Sequence, residues 1–263
     1  MSNLLKEIIA RRRADVKAAS RKIPLQRLQQ KIGAISHHRS LINQLRHHAN
    51  DSKHACIIAE TKKASPSAGL LCQDYEPARI ARKYEQAGAI AISVLTEPHY
   101  FLGSDDDLRK VRGAVTLPVL RKDFICDPYQ VYESAALGAD VILLIAAALD
   151  IQLLQALYKL AYSLNLEVII EVHTKLELEN VLDFKDAVLG INNRDLDTLK
   201  TDISVARELA AYIPQEHITI AESGIKTVKY IKELQEKGYN GFLIGESLLK
   251  SGNISGTLKK LIK

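Results

Sequence analysis

Eight short apolar segments recur along this chain, and each is followed by a segment whose apolar residues have helical spacing. These segments begin near Cys56, Ala89, Leu117, Asp140, Leu166, Ala187, Ile218 and Gly241. They are continuously apolar, as Val141 to Ile145 shows, which is typical of parallel strands covered on both faces and disfavours a half-solvated antiparallel sheet. Eight alternating strand and helix units are what a closed (β/α)8 barrel, the TIM barrel, requires.

Proline and glycine support the predicted helix ends. Pro77 and Pro128 stand in first helical turns, where the missing N–H costs nothing, and Gly88 and Gly138 stand where those helices should end. The 263 residues are close to the roughly 250 that are typical of one such barrel. An open doubly wound sheet is the alternative, because it has the same alternation and differs only in closure. The strand count and the polar residues at strand ends favour the barrel.

Residues 1–55 precede the eight units, and we expect an N-terminal helical extension that packs on the barrel, within a single domain of residues 1–263. Apolar spacing predicts an amphipathic helix near the start, at Leu4, Leu5, Ile8 and Ile9. A second short helix is predicted from Leu25 to Ile32, after Pro24.

Basic charge is concentrated in this extension. Residues 1–55 contain 12 Lys or Arg and 3 Asp or Glu, whereas the rest of the chain contains 24 and 28. The segment lacks the interleaved aromatic residues of single-strand binders and matches no known nucleic-acid-reading motif, so we expect no nucleic-acid partner. The simplest interpretation of these basic charges is that they lie on the solvated face of a helix. A basic extension over the barrel mouth would instead raise the local potential for an anionic substrate.

Other partners are disfavoured by composition. The longest apolar stretch, Val141 to Leu149, is too short to span a bilayer, and the N-terminus has no signal-peptide core, so we expect a cytoplasmic chain without a membrane partner. Three cysteines without metal or redox spacing are expected to be reduced thiols: Cys56, Cys72 and Cys126. Five histidines lack convincing ligand partners, so no metal is expected: His37, His38, His47, His48 and His54. We expect a monomer.

Polar and ionisable residues lie at or just past the ends of several predicted strands. The C-terminal strand ends of a parallel barrel all face one mouth, where such enzymes carry their chemistry. We therefore expect these residues to share one site: Glu60, Lys62, Lys122, Glu171, Asn192, Arg194, Glu222 and Ser223.

Two loops indicate a phosphate site. Ser223 and Gly224 follow the seventh strand, and Gly245 and Glu246 follow the eighth. In these barrels the loops after strands seven and eight commonly bind phosphate, because small residues let backbone N–H groups approach the anion. The acidic side chain of Glu246 does not exclude this site, since its backbone amide would make the contact.

Long motifs, in order along all eight strands, closely resemble the indole-3-glycerol-phosphate synthase family. The motifs are residues 57–67 (IIAETKKASPS), 92–97 (ISVLTE), 100–104 (YFLGS), 118–124 (PVLRKDF), 171–173 (EVH), 190–196 (GINNRDL) and 222–225 (ESGI). The resemblance implies closure of 1-(o-carboxyphenylamino)-1-deoxyribulose 5-phosphate to indole-3-glycerol phosphate in tryptophan biosynthesis, with loss of carbon dioxide and water. It implies a phosphorylated small-molecule substrate and no cofactor or metal.

The resemblance also implies roles for single residues. Lys122 would be the general acid at the substrate ketone, Glu171 its partnering carboxylate, and Glu60 with Lys62 the pair that holds or reprotonates the ring-closed intermediate. Asn192 would hydrogen-bond the polar centre, and Arg194 would orient the carboxylates and the substrate. The other substrate-binding residues would be Ser65, Glu222, Ser223, Gly224, Gly245 and Glu246, with Phe101, Phe124 and Leu143 as the apolar wall for the anthranilate ring.

Two positions depart from the family pattern: Ala68, where lysine is frequent, and Cys126, where an aliphatic residue is usual. Two other functions stay open. A phosphoribosylanthranilate isomerase-like barrel would use a cysteine and aspartate pair near strands one and five, where this chain has Glu60 and Glu171. A non-enzymatic barrel would bind RNA through the basic extension.

Overall fold

Eight parallel strands pair around a closed ring in the computed structural model, which describes residues 2–32, 38–49, 54–196 and 198–263. The strands are β1 (Ile57–Thr61), β2 (Ala91–Leu95), β3 (Val119–Lys122), β4 (Val141–Ile145), β5 (Glu167–Val172), β6 (Val188–Asn192), β7 (Thr219–Glu222) and β8 (Gly241–Ile244). Each strand pairs with its neighbours in chain order, and β8 returns to β1 through the register pair Ile57 and Phe242. This closure confirms the predicted barrel and excludes the open sheet.

The apolar strand segments are explained by burial on both faces. All five residues of β4 are buried. Ile142 and Leu144 belong to the cluster that includes the surrounding helices, whereas Val141, Leu143 and Ile145 belong to the cluster inside the barrel. Because alternate side chains point to opposite faces of a strand, both sets must be apolar when both faces are covered.

Helices follow the strands around the outside of the ring. They are α4 (Pro77–Gln86), α5 (Asp105–Ala114), α6 (Pro128–Leu137), α7 (Ile151–Ser163), α8 (Lys175–Glu179), α9 (Ser204–Leu209), α10 (Val228–Glu236), α11 (Glu246–Leu249) and α12 (Ile254–Ile262). The predicted boundaries of α6 are confirmed: Asp127 accepts a hydrogen bond from the Tyr129 N–H, and Gly138 ends the helix with φ of 85°. Only glycine adopts that backbone conformation without a steric cost.

The extension contacts both ends of the barrel. It contains α1 (Asn3–Lys22), α2 (Leu25–Ile32) and α3 (Leu41–Ala49). Arg12 of α1 forms a bidentate ion pair with Asp123, which lies just after β3; the two N–O distances are 2.9 and 2.8 Å. Leu41 and Leu45 of α3 are fully buried with the barrel interior, and the Leu41 N–H donates to Glu167, the first residue of β5, at 2.8 Å. Thus α1 lies at the C-terminal mouth and α3 covers the opposite end.

The first two helices coincide with the predicted ones, but α3 was not predicted. Leu41, Ile42 and Leu45 have helical spacing that could have marked it, but the segment is only nine residues long and has histidines at its end. Of the histidines considered as ligands, His38 lies 3.5 Å from Glu167, and His37 lies outside the described residues, as does the side chain of His48. None of the helices in the described ranges is long and apolar enough to cross a bilayer.

Candidate active site at the barrel mouth

A cavity of about 480 Å³ opens at the C-terminal ends of the strands. All but two of the residues predicted for the site line it. They are Glu60, Lys62, Phe101, Lys122, Phe124, Leu143, Glu171, Asn192, Arg194, Ser223, Gly224, Gly245 and Glu246. The two exceptions are Glu222, which is fully buried beneath the cavity, and Ser65, which lines a smaller adjoining cavity.

Lys122 is the centre of the charged cluster. It ends β3, and its Nζ lies 2.6 Å from Glu222 Oε2, 3.5 Å from Glu60 Oε2 and 4.0 Å from Glu171 Oε2. Burial would lower the pKa of this ammonium group, but the three carboxylates, Glu222 first, outweigh burial and raise the pKa above its ordinary value. Lys122 is therefore a cation at neutral pH, and it donates a hydrogen bond to Glu222 while it lines the cavity.

A second cation stands beside the first. Lys62 Nζ lies 2.5 Å from Glu60 Oε1, and Glu60 is the next-to-last residue of β1. Burial would raise the pKa of Glu60, but Lys62 and Lys122 outweigh it and lower that pKa. The Glu60 carboxylate thus bridges the two ammonium groups, which places a base and two acids within one hydrogen-bonded unit.

Glu222 has the opposite pKa shift. Burial raises its pKa to about 7, with Lys122 opposing the rise and Glu171 adding to it. Its Oε1 has no hydrogen-bond partner among the described residues, while its Oε2 holds Lys122. A carboxylic acid with a pKa near neutrality is suited to proton transfer. The contact of Glu222 with Lys122 lets these two residues share a proton.

Two glycines, one on β6 and one just after β8, make room for these carboxylates. A Cβ atom built on Gly190 of β6 would lie 2.5 Å from Glu222 Oε1, and one built on Gly245 would lie 2.5 Å from Glu60 Oε1. Any side chain at either position would displace a carboxylate of the cluster. Gly245 therefore has a role beyond the predicted phosphate loop, and the role of Gly190 was not predicted from the sequence.

Glu171 on β5 is held by a histidine that the sequence analysis noted without a role. His173 Nε2 lies 3.3 Å from Glu171 Oε1, and His173 Nδ1 lies 3.4 Å from Glu177 Oε2. Burial would raise the pKa of Glu171, but His173 and then Lys122 lower it to about 2. Burial would lower the pKa of His173, but Glu171 and Glu177 raise it to about 10. The two residues lie within ion-pair distance, although the His173 Nε2–H is not aligned for a hydrogen bond to Glu171.

Arg194 links three loops at the rim of the cavity. Its guanidinium donates to Ser67 Oγ at 3.0 Å and to the Leu199 carbonyl at 2.8 Å, and it lies 3.4 Å from Glu246 Oε2. Its backbone N–H donates to Asn192 Oδ1 at 3.0 Å, which orients the amide of Asn192 at the end of β6. The predicted pair Asn192 and Arg194 is therefore joined locally, and Ser67 is a lining residue that was not predicted.

The two predicted phosphate loops lie together at one side of the cavity. Ser223 and Gly224 both have left-handed backbone conformations, with φ of 62° and 73°, and Gly245 immediately precedes α11. Two further lysines, Lys226 and Lys250, also line the cavity, and neither was predicted from the sequence. Lys250 lies 2.7 Å from the Glu246 carboxylate. An anion bound here would meet backbone N–H groups and a positive local potential.

The opposite side of the cavity is apolar. The rings of Phe101 and Phe124 lie 5.9 Å apart, and Leu143 and Leu196 line the same cavity. A planar aromatic group would fit this wall and bury its faces. The adjoining cavity of about 80 Å³ extends this surface beneath α1 and includes Leu5, Ile8 and Ser65. The Ser65 hydroxyl accepts a hydrogen bond from the Ala68 N–H at 3.2 Å, which holds the turn where the sequence departs from the family pattern.

Comparison with known proteins gives a consistent result. Residues 5–261 match the family model described as indole-3-glycerol phosphate synthase. A protein of that name from Burkholderia ambifaria is 45% identical over 251 residues, which covers 95% of each chain. Another, from Dehalococcoides mccartyi, is 49% identical over 209 residues, covering 78% of this chain and 81% of the relative.

One solved structure supports the fold alone. A chain from the tryptophan synthase α2β2 complex of Pyrococcus furiosus superposes with a TM-score of 0.59 at 13% identity. The match covers 80% of this chain and 98% of that chain.

Proposed function

The chain belongs to the indole-3-glycerol phosphate synthase family, and from that premise we propose which residues at its barrel mouth carry out each step. The enzyme is a carboxy-lyase of tryptophan biosynthesis that converts 1-(o-carboxyphenylamino)-1-deoxyribulose 5-phosphate to indole-3-glycerol phosphate. The observation that carries the assignment is Lys122, a partly buried cation surrounded by three carboxylates at the cavity.

Ring closure uses Lys122 as the acid. The aromatic carbon that bears the carboxylate forms a bond to the ketone carbon, the carbonyl electron pair moves to oxygen, and Lys122 donates a proton to that oxygen. An ammonium group fixed by Glu222 at 2.6 Å and Glu60 at 3.5 Å is positioned before the reaction, so it stabilises the developing negative charge without rearrangement. Glu171, 4.0 Å from the same ammonium, is the partnering carboxylate.

Loss of carbon dioxide then restores the aromatic ring, because the electron pair of the breaking carbon–carbon bond returns to it. Dehydration is the last step. The hydroxyl formed from the ketone leaves as water after it takes a proton from Lys62, and the neighbouring CH2 group loses a proton to a carboxylate, for which Glu60 is placed beside Lys62 at 2.5 Å. No metal or cofactor enters these steps.

The substrate ends bind at opposite sides of the cavity. Backbone N–H groups of the loops at Ser223, Gly224, Gly245 and Glu246 bind the phosphate, with Ser65 at the neighbouring turn and Arg194 linking the loops across the site. Phe101, Phe124 and Leu143 contact the anthranilate ring. Asn192 hydrogen-bonds the polar centre between them.

The proposal includes a monomeric chain that acts in the cytoplasm and unfolds as one domain. The extension contributes to the same fold, since Arg12 binds Asp123 and Leu45 is buried with the barrel interior. Gel filtration and a single coincident unfolding transition by two spectroscopic probes test these points.

Neither alternative function is favoured. The strand ends that would carry the cysteine and aspartate of the isomerase carry Glu60 and Glu171 instead. Two arginines of the basic extension are engaged within the chain: Arg12 pairs with Asp123, and Arg39 donates to the Val115 and Leu117 carbonyls. They are therefore not presented to an RNA phosphate backbone.

A fluorescence assay for indole-3-glycerol phosphate tests the proposal. The wild-type chain should form the product from the carboxyphenylamino deoxyribulose phosphate, and Lys122→Met should lower kcat by about 10²- to 10⁴-fold, since that is the usual contribution of a positioned general acid. A buried lysine that served only packing would leave kcat/KM at the wild-type level in every variant that still folds. That result, or no product from the wild-type chain, would refute the assignment.

A further inference from the structure

His173 is a partly buried charged residue that the proposed reaction steps do not use. It follows β5 directly, its side chain is 11% exposed, and it stands between the carboxylates of Glu171 and Glu177. The same histidine is held at its backbone, where its N–H donates to Glu177 Oε2 at 2.8 Å.

The start of α8 fixes Glu177 in turn. Thr174 is the N-cap of α8, and its hydroxyl accepts a hydrogen bond from the Glu177 N–H at 3.2 Å. The sequence Thr-Lys-Leu-Glu at 174–177 has the spacing of a capping box, in which the glutamate side chain turns back toward the residues before the helix. Here it reaches His173, so the helix terminus determines which way the imidazole ring points.

We propose that His173 is a positioning residue: clamped by Glu177, it holds the Glu171 carboxylate in its ionised form with Oε2 turned toward Lys122. The inference rests on the proposed role of Glu171 in ring closure. His173 and Glu177 thus act in the reaction through Glu171 and without contact to the substrate.

Charge balance is the physical reason for such a clamp. Glu171 from β5 is buried near two other carboxylates, since Glu60 and Glu222 share Lys122 with it. Three carboxylates around one ammonium favour protonation of at least one of them. Without His173, Glu171 would compete for Lys122 or take up a proton. With His173 it stays ionised, and Glu222, whose pKa burial raises to about 7, is the carboxylate of the three that protonates most readily.

A double-mutant cycle tests the inference. His173→Gln keeps a hydrogen-bond donor near Glu171 but removes the positive charge. In the wild-type background we expect it to lower kcat by about 10- to 100-fold while KM changes by less than about threefold, because a reacting group is misplaced and the substrate contacts are intact. In a Glu171→Gln background the same substitution should change kcat by less than about twofold, because no carboxylate is left to position.

The pair of His38 and Glu167 supplies a matched control at the other end of β5. His38 lies 3.5 Å from Glu167, the first residue of β5, at the opposite end of the barrel from Glu171. The two glutamates are four positions apart along the strand, a distance of roughly 13 Å. His38→Gln therefore removes a histidine–glutamate pair without touching the mouth, and its kcat should stay within about twofold of the wild type.

Direct titration of Glu171 separates this inference from the proposed function. The side-chain carboxyl carbon of Glu171, assigned by its absence in Glu171→Gln, should show no titration between about pH 4 and 8 in the wild type and a clear one in His173→Gln. An unchanged titration would overturn the inference even if the chain proved to catalyse another reaction. Equal losses of kcat in both backgrounds, or none in the wild-type background, would overturn it as well. Wild-type activity in Glu171→Gln would instead refute the proposed role of Glu171.

Discussion

Replacing Gly190 with alanine would place a methyl group 2.5 Å from Glu222 Oε1 and 3.0 Å from Ile169 Cγ2 inside the barrel. Gly190 is buried, and strands β6 and β7 are paired both at Gly190 and at Glu222. The two strands therefore have little freedom to move apart. The Glu222 carboxylate must move by roughly 0.8 Å to reach an ordinary contact distance of about 3.3 Å. That movement alters its contact with Lys122, which is now 2.6 Å.

The cost of this change has two parts. Insertion of one methyl group into a packed interior typically destabilises a protein by about 1–3 kcal/mol. For a chain of this size each kcal/mol shifts Tm by about 2–4 °C, so Tm should fall by roughly 2–12 °C. Displacement of a catalytic group by about 1 Å can cost about 10²-fold in rate, so kcat should fall by about 10- to 100-fold. KM should change little, because Glu222 does not line the cavity.

Thermal unfolding and the fluorescence assay measure the two parts separately. Gly113→Ala is the matched control, since Gly113 lies in α5 and a Cβ atom there would meet nothing within 4 Å. It should leave kcat unchanged and leave Tm unchanged or slightly raised, because alanine favours a helix. A Gly190→Ala variant with wild-type kcat would show that the position of Glu222 does not matter to the reaction. Wild-type Tm would show that the interior accepts the added methyl group.

Further substitutions test the other parts of the site. Gly224→Asp should raise KM and weaken inorganic phosphate binding together, because it adds negative charge at a position with φ of 73°, where residues with a side chain are strained; a fall in kcat alone would contradict the phosphate assignment. Removal of residues 1–45 should cause aggregation, because it takes away Leu41 and Leu45, which cover the lower end of the barrel. Light scattering measures the aggregation, and a truncated chain that stays soluble and fully active would refute this expectation. Activity should persist after dialysis against a chelator, and a loss that one added metal restores would disprove the metal-free mechanism. Arg12→Met should lower stability in urea unfolding by about 3–5 kcal/mol, because it leaves the buried Asp123 carboxylate without one partner, whereas Arg11→Met, at an exposed ion pair, should change it by less than about 1 kcal/mol.

Much of the architecture could be predicted because it depends on local patterns. Continuous apolar segments such as Val141–Ile145 indicate strands buried on both faces, and eight of them alternating with helical segments admit few topologies. Polar residues directly after those strands, such as Lys122 and Asn192, were then expected at one mouth because parallel strands share a direction. The reaction and the role of each residue came from the family resemblance and not from these patterns.

Helix α3 shows the first limit of this reasoning. Leu41 and Leu45 are fully buried, and with Ile42 they have helical spacing, but so short a segment does not show which surface it covers. They are buried because the closed barrel presents an open apolar lower end, which exists only after all eight strands have paired. The sequence determined that such apolar residues were present, and the tertiary structure determined that they cover this surface.

The charges of the site show the second limit. Sequence order places Glu60, Glu171 and Glu222 at strand ends, where they look equivalent. The structure lowers the pKa of Glu60 and Glu171, because Lys62 and His173 each lie beside one of them. It raises the pKa of Glu222 to about 7, because burial and the charge of Glu171 outweigh Lys122. Sequence alone thus determined the strands and the chemical groups at their ends. Only tertiary closure decided the protonation of each group, because burial and distances of 3 to 4 Å between residues far apart in the chain arise from folding.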